Sequence, residues 1–174
     1  MKYIMKAGTL YKQGEALAQI KGSLTGAEKK VFSMNGALLL QTDIRIIKSP
    51  GSEAGNIRFR QYIMRDAKGE KYAVANPDYA KEANPAVVGW PICRMPKVDH
   101  AQILMGGVMY RLIMRNSQNY WMEKCAGERV IQIFHRGLIG GWDMETIGGF
   151  RPETICGIFI FCRYIERENE FLIV

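Results

Sequence analysis

The sequence is short of most things that would settle a function by themselves. No stretch reaches the roughly 18 apolar residues that a membrane-spanning helix needs. The longest run, Ile155-Cys156-Gly157-Ile158-Phe159-Ile160-Phe161-Cys162, is followed by Arg163 and Glu166. The four cysteines, Cys93, Cys125, Cys156 and Cys162, lie 32, 31 and 6 apart, and His100 and His135 are the two histidines. None of these spacings suits a zinc site, so no metal is expected. There is no GxSxG, P-loop or HExxH pattern, which excludes the enzyme classes those motifs mark, and no cofactor is expected. Six prolines leave no Pro-rich linker. Met1-Lys2-Tyr3-Ile4-Met5-Lys6-Ala7-Gly8 has neither the apolar core nor the cleavage site of a secretory signal. A cytoplasmic protein with reduced thiols is the expectation.

What is present fits an ordinary globular chain. Hydrophobic residues make up 48% and charged residues 24%, which excludes a disordered or collagen-like chain. The 174 residues suit a single domain, 1–174, with a real core. The formal net charge is +7, and it is unevenly placed. Residues 1–75 carry 13 basic and 6 acidic side chains, while residues 76–174 carry 11 of each.

Most of the chain reads as short strands between turns. Alternation runs through Ala16–Lys21, Ile57–Met64 and Val130–His135. Leu38–Ile47 reads as a longer strand with a bend near Asp43, and Met109–Met114 and Asn119–Lys124 add two more. In the segment from Ile57, a period of two places Arg58, Arg60 and Tyr62 on the face opposite Ile57, Phe59 and Gln61. Turn signals stand at Asp66-Ala67-Lys68-Gly69, Asn116–Asn119, Cys125–Glu128 and Arg136-Gly137. Such regular spacing predicts a sandwich or barrel. Residues 76–102 hold four of the six prolines and read as a long surface connection with a helical turn near Asp78–Ala83.

The end of the chain changes character. Pro152 suits the first position of a helix, Glu153 complements its N-terminal dipole, and no residue stops it before about Asn169. Its first turns are apolar on every side, so the helix must be enclosed by the strands. Arg163, Glu166, Arg167 and Glu168 form a charged tail beyond that core, and Phe171–Val174 reads as a short closing strand.

Short strands closed by an apolar C-terminal helix resemble the tubby C-terminal-like superfamily, which includes tubby domains, LURP-one-related proteins and phospholipid scramblases. The residues that carry the resemblance are Tyr62-Ile63-Met64-Arg65-Asp66-Ala67-Lys68-Gly69, similar to a LURP-one strand and turn, and Pro152 to Val174. It implies a mainly β fold, a closed antiparallel barrel of about twelve strands around a central hydrophobic helix at about 153–169. It also implies a non-enzymatic module, since tubby domains bind phosphoinositides on a basic surface.

The basic first half points the same way. Lys29, Lys30, Arg45, Lys48, Arg58 and Arg60 form a candidate anion-binding set, and phosphate on a lipid headgroup or an anionic membrane surface is the partner such a set attracts. Phe59, Tyr62 and Tyr72 make no RNP-like stacking motif, so nucleic acid is not the expected partner. Two other readings stand beside this one. A barrel with an open lumen would carry a small apolar molecule. An enzyme of unrecognised type would use His135, Asp143 and Glu145, the last two on one face if their segment is a strand. Gly106-Gly107, Gly140-Gly141 and Gly148-Gly149 lack the strand–helix setting of a phosphate loop and read as tight turns or barrel corners.

Overall fold

The computed structural model describes residues 1–22, 27–48, 58–79, 98–116 and 118–170. Its strands are β1 (Lys2–Lys6), β2 (Thr9–Lys12), β3 (Glu15–Lys21), β4 (Lys29–Ser33), β5 (Leu38–Lys48) and β6 (Arg58–Asp66). They continue with β7 (Lys71–Tyr79), β8 (Val98–Met105), β9 (Val108–Asn116), β10 (Asn119–Lys124), β11 (Arg129–His135) and β12 (Trp142–Thr146), and then the helix α1 (Pro152–Glu170). Each strand pairs antiparallel with its sequence neighbours, and β1 pairs with both β2 and β12. The described sheet is therefore a closed twelve-stranded meander, which leaves no edge strand open.

Alternation makes the wall two-sided. In β9, Tyr110, Leu112 and Met114 face inward and Arg111 and Arg115 outward; in β12, Met144 and Thr146 face in and Asp143 and Glu145 out. Tight hairpins set several registers. Gly106-Gly107 joins Met105 to Val108 with φ of 56° and 78°, the left-handed pair that such a turn needs. The long strand β5 pairs with β6 from Leu40↔Asp66 to Lys48↔Arg58 with no register shift at Asp43.

The connection expected over 76–102 is shorter than the sequence suggests. Asn76–Tyr79 belongs to β7 and Val98–Gln102 to β8, so Asp78 and Tyr79 are extended, not helical. The β6–β7 register ends at Tyr62↔Ala75, so Pro77 is paired only on its β8 side, opposite Ala101. A proline is tolerated where one side of a strand is unpaired. Residues 80–97 and the closing strand expected at 171–174 lie outside the described residues.

The barrel encloses α1. Ile155, Ile158, Phe161 and Ile165 are fully buried, and burying such side chains contributes about 1.5–3 kcal/mol each. Tyr62 of β6 packs against the rings of Phe161 and Tyr164 at 5.8 and 5.2 Å. Gly157 lets β6 approach the helix backbone, because a Cβ there would lie 2.3 Å from Met64 Cε. The N-terminal end is held by a 3.2 Å hydrogen bond between the Tyr72 and Thr154 hydroxyls, and the C-terminal end by Asn169, whose Oδ1 accepts from Val98 N at 3.0 Å and whose Nδ2 donates to Val98 O at 2.8 Å. The helix thus runs from one end of the barrel to the other. The end that receives its C-terminal half is called the mouth below.

The charged tail expected beyond the apolar helix is buried as well. Glu166 and Glu168 lie inside, each with a partner on the wall. Tyr120 Oη donates to Glu166 Oε1 at 3.0 Å, and Arg60 Nη1 meets Glu168 Oε1 at 3.0 Å. A buried carboxylate without such partners would cost several kcal/mol, roughly, so these contacts decide whether the last turns of the helix can enter the barrel.

Candidate functional site

The mouth is formed by the Lys6–Thr9 turn, the ends of β3, β5 and β7, the starts of β4, β6 and β8, the β11–β12 connection and the last turns of α1. At this end Ile160, Arg163, Tyr164 and Arg167, spaced along one face of α1, line a pocket with Gly8 and Lys29. Its volume is about 280 Å³, and among the described residues its lining has three cations and no carboxylate. Lys29 reaches it because it shares the inward face of β4 with the buried Val31 and pairs with Thr42. Burial, then the charge of Arg167, lowers the Lys29 pKa below its usual value. Lys29 and Arg167 are therefore close enough for their like charges to oppose each other beside this concavity.

Neighbouring contacts brace the pocket. Arg163 is paired with Glu166, and its guanidinium lies 5.5 Å from the Trp142 ring. Trp142 packs edge-on against Phe159 at 4.9 Å and against His135 at 5.2 Å. Tyr164 Oη lies 2.8 Å from Thr42 Oγ1 and donates to Ala27 O. Burial raises the Tyr164 pKa, so its hydroxyl stays protonated and can donate.

The six residues of the candidate set do not form one basic face. Lys29 faces the pocket. Lys30 points the other way and pairs with Glu28 at 3.1 Å. Arg45 lies exposed on the outer side of β5, opposite Gln61. Lys48 and Arg58 are register partners where β5 and β6 reach the mouth. Arg60 shares the face of the buried Tyr62, which is the inside of the barrel, and it is committed to Glu168. The period of two grouped Arg60 with Tyr62 correctly, but alternation alone does not say which face is the interior. Arg163 and Arg167 belong to the charged tail of the helix and lie outside the candidate set. Their i, i+4 spacing beside Ile160 and Tyr164 is the signal that places them on one helix face.

The two other readings lose their geometry. The space for an apolar ligand in an open lumen is filled by α1. His135 is on the inward side of β11, against Trp142, whereas Asp143 and Glu145 point outward from β12. Glu145 pairs with Lys2 at 3.2 Å and Asp143 with Arg136 at 3.5 Å, in an outer cleft of about 720 Å³. The larger cleft therefore mixes carboxylates with cations, whereas the charged side chains in the described lining of the smaller mouth pocket are all cationic. No described helix is long and apolar enough to cross a membrane, and no group of metal-ligating side chains occurs among the described residues. Cys125, Cys156 and Cys162 are free thiols, and Cys93 lies outside the described residues.

No family model, no curated protein and no solved structure matches the chain.

Proposed function

We propose that the chain is a non-enzymatic binding module of the tubby-like kind, cytoplasmic, which takes a phosphate-bearing lipid headgroup at the mouth of its barrel. The observation that carries this reading is the convergence of Lys29, Arg163 and Arg167 on one pocket whose lining, among the described residues, has no carboxylate. A closed barrel around a C-terminal helix is the architecture that the tubby-like resemblance implies, and it supports the same reading. The helix C-terminus opposes an anion with about half a negative charge, and Arg163 shares its own charge with Glu166, so Lys29 and Arg167 carry most of the attraction. Relative to the expectation of a basic face of the first half, this reading puts the binding surface at the inner rim and draws two of its cations from α1.

Vesicle flotation tests the proposal. The chain is expected to float with phosphatidylcholine vesicles that contain a phosphoinositide, not with phosphatidylcholine alone, and to lose binding as salt rises. Replacing Lys29 and Arg167 together with glutamine should weaken binding roughly tenfold or more, at about 1 kcal/mol per cation near the surface. Equal flotation with and without the anionic lipid would sink the reading. Since the charge of a bound phosphate counters that of Arg167, the second cause of the lowered Lys29 pKa after burial, binding should also take up protons in the alkaline range.

A further inference from the structure

The β11–β12 connection at the mouth ends in a 3₁₀ turn, Gly137–Ile139, that displays two aliphatic side chains to solvent. Leu138 is as open as an isolated residue, at 108% relative exposure, and Ile139 is 68% exposed. Single exposed leucines are common on soluble proteins. This pair differs because its turn is braced on every side. Arg136 N donates to Gly141 O at 3.0 Å, Gly140 N to Gly137 O at 3.1 Å, and Gly137 N to His135 Nδ1 at 3.1 Å. His135 and Trp142, at the two ends of the connection, meet edge-on, and Trp142 packs edge-on against Phe159 of the helix. At Gly141 (φ +85°) a Cβ would lie 2.6 Å from Met5 O, so the tip is also pressed onto β1.

The tip is next to the cationic pocket through shared residues. Trp142, at its root, pairs with Met5 of β1, and the turn that follows β1 carries Gly8, a lining residue of the pocket. Arg163 links the two directly, lining the pocket while its guanidinium lies over Trp142. On the opposite flank, β5 reaches the same end with Ile46 and Ile47, both exposed. Among the described residues of the rim the order is therefore apolar tip, cationic pocket, apolar strand end.

We infer that the mouth docks on an anionic bilayer, with Leu138 and Ile139 inserted among the acyl chains while Lys29, Arg163 and Arg167 hold a headgroup phosphate. The inference rests on the headgroup reading above and adds the membrane contact and its orientation. Charge complementarity favours a bilayer over a protein partner: the apolar pairs flank a pocket lined by cations, and an anionic leaflet presents negative headgroups directly above hydrocarbon. Stable attachment to a membrane takes two weak signals, and this rim supplies an electrostatic one and an apolar one. A rigid turn has little order left to lose on insertion, which strengthens binding.

The test separates the two signals. In the double variant Leu138→Ser, Ile139→Ser, affinity for vesicles of phosphatidylcholine with a phosphoinositide should fall roughly tenfold or more. Its affinity for a soluble inositol phosphate and its Tm should match those of the unaltered protein. Leu104→Ser, which removes an exposed leucine from the outer side of β8, should leave vesicle affinity unchanged, and Leu138→Trp should raise it. Unchanged vesicle binding by the double variant overturns the inference and leaves the headgroup reading standing. An unaltered protein that binds neither the soluble inositol phosphate nor the anionic vesicles overturns both. If the double substitution instead dissolves a dimer of the unaltered protein at constant vesicle affinity, the tip is a protein contact and the inference fails.

Discussion

Cys156 and Cys162 lie side-on in the buried part of α1, each surrounded by the barrel wall. Burial, then the charge of Glu153, pushes the Cys156 thiol up to about 12, and burial raises Cys162 well above its ordinary value. The direction fixes a pH dependence. A thiol kept neutral in the folded state contributes stability that is fully present below its ordinary pKa of 9.0 and is lost as pH rises toward about 12. Chemical denaturation between these two pH values should therefore give steadily falling stability, and Cys156→Ala should flatten the slope. In the native protein at neutral pH, an alkylating reagent should modify the exposed Cys125 and spare Cys156 and Cys162 until unfolding. The sequence allowed part of this, because both thiols sit in its longest apolar run. Their separation along a helix argued against a disulfide, and they are free thiols in the structure.

At the scale of elements, the contact between α1 and β6 depends on a missing side chain. Glycine inside a helix costs about 1 kcal/mol relative to alanine, so Gly157 is unfavourable locally. It is favourable in place, because the end of Met64 fills the position a Cβ would take and Leu40 Cδ2 lies 3.4 Å from it. Gly157→Leu should destabilise the protein by about 3 kcal/mol through overpacking. Met64→Ala in the same chain should restore part of that loss, although alone it is destabilising by about 2 kcal/mol or more. A double-mutant cycle read by denaturant titration checks the coupling, and additive effects would show that the contact is not the reason for Gly157. The helix itself was legible from Pro152, Glu153 and the apolar run, within a residue of each observed end. The burial of its charged turns was not legible, because a sequence does not reveal that Tyr120 and Arg60, far away in the chain, meet Glu166 and Glu168. The expected surface connection takes in Pro77 for a similar reason: only the register shows that β7 has no ladder partner on its β6 side there.

For the whole molecule, barrel and helix are one core. Met5, Leu10, Leu40, Tyr62, Met64, Leu112 and Met122 all point at the space that α1 occupies. A chain ended after Arg151 would line an empty channel with these side chains. It is expected to show no cooperative thermal transition by circular dichroism and to aggregate; a monomer that melts cooperatively would mean that the strands hold their own core. The same dependence explains the mouth. Lys29 comes from β4, Arg163 and Arg167 from α1, and the Leu138–Ile139 tip from the β11–β12 connection, and they become neighbours only when β12 closes on β1 and the helix is inside. The sequence by itself determined the alternation that makes a two-faced wall, the turns that divide it into hairpins, and the all-round apolar helix that has to be enclosed, since each is a local or periodic property of the chain. It also placed the excess positive charge in the first half. Which face of each strand is the interior, which cations are spent on buried carboxylates, and which ones meet at the mouth were decided by the tertiary structure alone, because all three depend on ring closure and on long-range pairing that no local pattern encodes.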